Sequence, residues 1–167
     1  MNETTELVTL AKQGDAHAFS RLYAFIYKDL YRFAVYLLQN TPDAEDAVSE
    51  AVLDAFARMS TLRDPGAFKH WMFAILSAKC KRKIRQYANA DAELSEDLAV
   101  PMPDLNERLD VRHAFAALPR EDRLILSLNL FAGYSSQEIA ELLDMNANTV
   151  RSRQSRALKR MEKALCG

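Results

Sequence analysis

The chain is predicted to be all-α: a front helical bundle at 1–87 and a second small helical domain at 107–167, joined by a flexible acidic linker at 88–106. Three observations predict this. Glycine and proline number only 4 and 5 in 167 residues, while strong helix formers dominate. Apolar residues recur at the 3.6-residue helical period, and no stretch alternates as a strand does. The segment ANADAELSEDLAVPMPDLN breaks that period: it is acidic, has no aromatic residue, holds Pro101 and Pro103, and is longer than an ordinary loop.

Each element has its own signal. Glu6 to Gln13 reads as a short amphipathic helix stopped by Gly14. Asp15 then caps a long helix whose inward face is Phe19, Leu22, Tyr23, Phe25, Ile26, Leu30, Phe33, Ala34 and Leu37. Thr41-Pro42, a cap followed by proline at the first helical position, opens a helix to about Met59 with Ala44, Val48, Ala51, Val52, Ala55 and Phe56 inward. Asp64-Pro65 repeats that signal before a helix that carries Phe68, Trp71, Met72, Ile75 and Leu76 and then the basic run KCKRKIRQ. Beyond the linker, a helix through Leu109, Val111, Phe115 and Leu118 ends before Pro119. Another runs from Arg120 to Phe131 and stops at Gly133.

The segment YSSQEIAELLDMNANTVRSRQSRALKR at 134–160 is the most informative. Ser135 and Glu138 have the S-x-x-E spacing of a capping box, so a helix starts there and runs to Leu143. Asp144 and Met145 make a short turn, with Asp144 where a left-handed backbone favours Gly and tolerates Asp. Asn146 caps a second helix bearing Arg151, Arg153, Arg156, Lys159 and Arg160, and Ile139, Ala140, Leu143 and Val150 hold the two helices at a steep angle. This is the pattern of a helix-turn-helix, whose second helix enters the DNA major groove. A helical hairpin with a solvated basic face is the alternative. Confinement of the cations to the second helix, with Glu138, Glu141 and Asp144 on the first helix and turn, favours DNA.

The net charge of −1 conceals a block pattern. Residues 61–90 hold seven Lys and Arg against one acid, and residues 123–167 hold seven against four. Residues 91–122, between them, hold three against nine. Two basic blocks around an acidic one suggest two DNA-contacting surfaces. Cys80 and Cys166 suit a reducing compartment. Cys80 is read as a plain helix residue; the competing reading is a redox sensor, since Lys79, Lys81 and Lys83 would lower its thiol pKa. No apolar run of about 18 residues and no signal core is seen, so the chain is expected in the cytoplasm. His17, His70 and His113 stand isolated, and no phosphate-binding Gly loop occurs, so neither an enzyme, a metal nor a cofactor is expected.

An all-helical front domain, an acidic linker and a C-terminal helix-turn-helix together resemble the extracytoplasmic-function branch of the bacterial sigma-70 factors. The resemblance spans residues 5–87 and 107–165. Its most specific part is LPREDRLILSLNLFAGYSSQEIAELLDMNANTVRSRQSRALKRM, similar to the family's promoter-reading module; DAEDAVSEAVLDAF and FKHWMFAIL fall where the family has its polymerase-binding and DNA-melting helices. The implied function is that of a specificity subunit which recruits core RNA polymerase to promoters and opens them. The alternative is a stand-alone helix-turn-helix regulator with a helical sensor domain.

The resemblance implies roles for particular residues. Ser152, Ser155 and Arg156 would read bases of the −35 element, while Asn148, Arg151, Arg153 and Lys159 would hold its backbone. Arg63, Phe68, Trp71, Lys79, Lys81, Arg82 and Lys83 would engage the −10 element. Phe68, Trp71, Met72 and Ile75 share one helix face, which makes core the competing role for Trp71. Glu45, Asp46, Ser49 and Glu50 would dock on the coiled coil of the polymerase largest subunit, with a solvated helix face as the alternative; the polymerase flap, promoter DNA and an anti-sigma protein are the other implied partners. The chain departs from the family at Ala47-Val48-Ser49, where Leu-Val-Gln is usual, and at Ala74 and Ala78, where Arg and Asn are frequent.

Overall fold

A computed structural model describes residues 2–90 and 109–166, so most of the predicted linker lies outside the described residues. Eight α-helices make up the described chain: α1 (Glu3–Lys12), α2 (Ala16–Leu38), α3 (Thr41–Ala57), α4 (Phe68–Ala90), α5 (Leu109–Ala116), α6 (Arg120–Leu130), α7 (Ser136–Leu143) and α8 (Ala147–Cys166). Residues 88–90, read as linker, are the last residues of α4.

Short polar side chains set the helix starts. Asp15 accepts from the backbone of His17 and Ala18 at 3.0 and 3.1 Å, directly after Gly14, whose φ of +97° makes the tight corner between α1 and α2. The cap of α3 lies one residue earlier than the sequence suggests: Asn40 Oδ1 accepts from Asp43 N at 2.9 Å, and Thr41 is the first helical residue. Asp64 accepts from Gly66 N at 3.0 Å and starts a 3-10 turn at Pro65–Ala67 that leads into α4.

Helix α2 is the axis of the molecule. Helices α1, α3 and α4 pack against it, burying Phe19, Leu22, Ile26, Leu30 and Phe33 with Ala44, Val48, Met72 and Leu76. Phe25 and Phe56, expected inward, are 59% and 36% exposed; Phe56 lies over Phe19 at the rim with ring centroids 5.2 Å apart. In the last turns of α2 all six residues from Phe33 to Leu38 are buried. A helix covered on every side needs neighbours on every side, and α5 and α6 supply the second set.

The two domains therefore meet through a packed interface. Tyr36, 1% exposed, lies between Phe115 and Phe131, with edge-on ring contacts at 5.0 and 5.1 Å. Arg123 donates from Nε to Leu37 O at 3.2 Å and from a terminal nitrogen to Leu118 O at 2.7 Å. One guanidinium thus binds carbonyls at the end of α2 and just beyond α5, groups with no partner within their helices. A second contact joins α4 to the segment before α7: Tyr134 Oη donates to His70 O at 2.6 Å, and the two rings stack 4.2 Å apart.

Candidate nucleic-acid and partner interfaces

The helix-turn-helix forms as its spacing predicts. Ser135 Oγ accepts from Glu138 N at 3.1 Å, and Glu138 Oε1 accepts from Ser135 N at 2.8 Å, which completes the capping box. Asp144 adopts the left-handed conformation, φ 57° and ψ 51°, and its N–H closes on Ala140 O. Asn146 Oδ1 accepts from Asn148 N at 2.8 Å at the start of α8. Ile139, Ala140 and Val150 are buried where the helices cross, and the Ser136 hydroxyl donates to Gln154 Oε1 at 2.6 Å.

Glu138 also reaches the front domain, with His70 Nε2 at 3.3 Å. The Ser135 N–H, and next His70, hold its carboxyl below the ordinary value of 4.5. A carboxylate with a lowered folded pKa contributes stability above its unfolded value and loses it as the pH falls through the folded one. The Ser135 amide resonance is therefore expected to titrate with a midpoint below 4.5, the start of α7 loosening as it does so. A midpoint at 4.5 or above in an NMR titration would contradict this role for Glu138.

Helix α8 sorts its polar residues by face. Ser152, Ser155 and Arg156 are exposed, as are Asn148, Arg151 and Lys159. Asn148 Oδ1 accepts from the Arg151 guanidinium at 2.7 Å, which orients that cation at the exposed start of the helix. Arg153 has a different role from the one expected: half-buried, it binds Asp122 at 2.9 Å and Glu121 at 3.1 Å and clamps α8 to α6.

The basic run of α4 is likewise divided. Lys83, only 9% exposed, pairs with Asp46 at 2.7 Å and lies 3.8 Å from Glu50; Lys79 pairs with Asp54 at 3.4 Å, and Arg82 bonds Glu50. Burial pulls the Lys83 ammonium down, but Asp46, Glu50 and Asp43 together outweigh it and the net shift is upward. The Asp46 carboxyl is correspondingly held down by Lys83. Lys79, Arg82 and Lys83 thus join α4 to α3 instead of presenting a free phosphate-binding set. Lys81, Arg85 and Arg63 have no ion pair among the described residues.

That zipper also divides the acidic helix. Asp46, Glu50 and Asp54, at i, i+4 and i+8, face α4, whereas Glu45, Ser49 and Leu53 form the adjacent stripe and are exposed. Leu53 is 72% exposed with Phe56 beside it, an apolar patch that the sequence reading passed over. Its signal was there: position 53 falls outside the apolar face set by Ala44, Val48, Ala51 and Ala55.

Phe68, expected at the −10 element, is 4% exposed and packs edge-on against Phe19, a core position. Trp71 is half-buried against the core, with its ring 6.3 Å from that of Phe68. Burial raises the Cys80 thiol to about 12 against the lowering pull of Lys83, which agrees with a plain helix residue and not with a redox sensor. Among the described residues no helix is long and apolar enough to cross a membrane.

Comparison with known proteins agrees with this geometry. The family model for sigma-70 region 2 matches residues 22–90, and that for sigma-70 region 4 matches residues 108–161. RNA polymerase sigma factor SigV of Bacillus subtilis (strain 168) is 34% identical over 137 residues, covering 80% of this chain and 82% of SigV. ECF RNA polymerase sigma factor SigM of Mycobacterium tuberculosis (strain H37Rv) is 28% identical over 164 residues, covering 96% and 83% of the two chains. The sigma factor RpoE of Bartonella quintana, solved with the anti-sigma factor NepR, superposes with a TM-score of 0.72 at 25% identity over 88% of this chain and 96% of RpoE. The basic recognition helix, the α3–α4 pair and these relatives together place the chain in the sigma-70 family: it is an RNA polymerase sigma factor of the extracytoplasmic-function branch.

Proposed function

We propose a division of labour in which α8 reads the −35 element, α4 and the 61–66 loop engage the −10 element, and the outer stripe of α3 docks core polymerase. The observation that carries this reading is the sorting of side chains just described. In each helix one face is tied into the fold by ion pairs, and the adjacent face presents free groups of the chemistry its partner requires.

On α8 the free face is Ser152, Ser155 and Arg156, with spacing that keeps them together. Arg156 makes the bidentate contact to guanine, and Asn148, Arg151 and Lys159 hold phosphates that position without specifying. In the front domain Arg63 and Lys81, joined by Arg85, take phosphates around the melted strand, and half-buried Trp71 is the aromatic nearest to hand for an unpaired base. On α3 Glu45 and Ser49 supply the polar rim of the docking face. Promoter opening needs no catalytic residue of the chain, and the protein acts in the cytoplasm. An anti-sigma protein keeps it inactive, as the partner seen with RpoE suggests.

Binding of the purified chain to bacterial core polymerase, followed by transcription from genomic fragments, tests the reading. Discrete new start sites are expected. DNA binding without polymerase binding would leave a stand-alone regulator. On the promoter so identified, Arg156→Ala is expected to remove ~1–3 kcal/mol of discrimination at one −35 base pair. Lys159→Ala should instead weaken all sequences alike and reduce the salt dependence. A uniform loss for Arg156→Ala would remove that residue from base reading.

A further inference from the structure

Between α4 and the start of α6 lies an open cleft of about 430 Å³ lined by Lys81, Ile84, Arg85, Arg120, Glu121 and Leu124. Lys81, Ile84 and Arg85 share one face of α4 at i, i+3 and i+4, and Arg120, Glu121 and Leu124 belong to the first turns of α6. Each domain supplies one wall.

The charge of this cleft is unbalanced. Elsewhere on α4 the cations are matched, Lys79, Arg82 and Lys83 each to an acid of α3. Lys81, Arg85 and Arg120 have no such partner among the described residues. Glu121, the one acid in the lining, shares Arg153 with Asp122 at 3.1 and 2.9 Å, which leaves one negative charge there against the three cations. The first turn of α6 adds to the imbalance, because Pro119 precedes it and no side chain caps its amides. An uncapped helix start carries about half a positive charge and free N–H donors. The field reaches inward: after burial itself, the charge of Arg120 is what lowers the pKa of Arg123. Below the cations, half-buried Ile84 and buried Leu124 form an apolar floor.

We propose that this cleft binds phosphate-bearing anions, a nucleotide polyphosphate or the backbone of a single strand, with phosphates on Lys81, Arg85 and Arg120 and a base over Ile84 and Leu124. Such a ligand touches both domains at once. The proposal goes beyond the promoter-reading assignment: it shares Lys81 and Arg85 with the proposed −10 surface but adds Arg120, which lies on α6, away from the recognition helix, and whose loss tests it separately.

Titration calorimetry of the full chain at one fixed low salt concentration tests it, with inorganic tripolyphosphate, GTP and a short single-stranded oligodeoxynucleotide as probes. Saturable binding of tripolyphosphate or GTP is expected, weakened about tenfold or more by Arg120→Ala, a change of ~1.4 kcal/mol. Arg156→Ala should leave it unchanged, and Glu121→Gln should not weaken it. Binding of the oligonucleotide alone, lost in Arg120→Ala, would support the site and assign it to a strand. Equal affinity of Arg120→Ala and the parent for every probe, or no saturable binding of any, overturns the proposal. Arg120 is exposed, so thermal melting of the variant should match the parent.

Discussion

Truncation of Tyr36 to alanine is expected to lower the folding stability by about 3–5 kcal/mol, the cost typical of removing a large buried aromatic residue. Three terms act in the same direction. The ring is 1% exposed, so its apolar surface is fully withdrawn from water. It makes edge-on contacts to Phe115 and Phe131, each worth about 0.5–1.5 kcal/mol beyond burial. The resulting cavity would lie between helices of two domains, which relax toward each other less readily than one loop relaxes onto a core. Urea denaturation followed by circular dichroism checks the figure. A loss below about 1 kcal/mol would mean that the domains do not hold this packing in solution, since an exposed tyrosine costs little to remove.

The largest functional effect is expected from Leu53→Asp. At 72% exposed, Leu53 contributes little to the core, and the melting temperature should barely change. In the proposed docking face, however, it is the central apolar anchor between Glu45 and Ser49 on one side and Phe56 on the other. Anchors of this kind cost ~2 kcal/mol or more when lost, and a buried carboxylate without a partner costs more than simple truncation. Affinity for core polymerase is therefore expected to fall at least about thirtyfold. Fluorescence anisotropy of a labelled chain against core polymerase measures this directly. An unchanged Kd would remove the outer stripe of α3 from the interface, and Glu45→Ala and Ser49→Ala would then be expected to be silent as well.

Much of the fold was legible from short-range chemistry. Asp15, Asp64, Ser135 and Asn146 act as caps through bonds to amides two or three residues away, and Asp144 takes a left-handed turn for reasons local to its own backbone. The errors came from long-range partners. Lys79, Arg82 and Lys83 look like a free basic run because the acids that pair with them lie 25 to 37 positions earlier, on α3. Arg153 looks like its neighbours until Asp122 appears across the helix crossing. The packing of the domains did leave a trace in the sequence. FAVYLL at 33–38 is apolar at six successive positions, which one buried face of a helix does not require.

The Tyr36 and Arg123 contacts also set a limit of length. A compact chain of 167 residues has a radius of gyration of ~15 Å and is thus roughly 40 Å across. Elements at −10 and −35 are about 25 base pairs apart, ~85 Å of duplex at ~3.4 Å per pair. With α6 seated on α2, the molecule is a caliper closed to half that span. Under the proposed division of labour it rests on one element at a time, and covering both requires Tyr36 to leave Phe115 and Phe131. The 18 residues from 91 to 108 reach at most ~60 Å when extended, enough with the domains' own widths to bridge the gap.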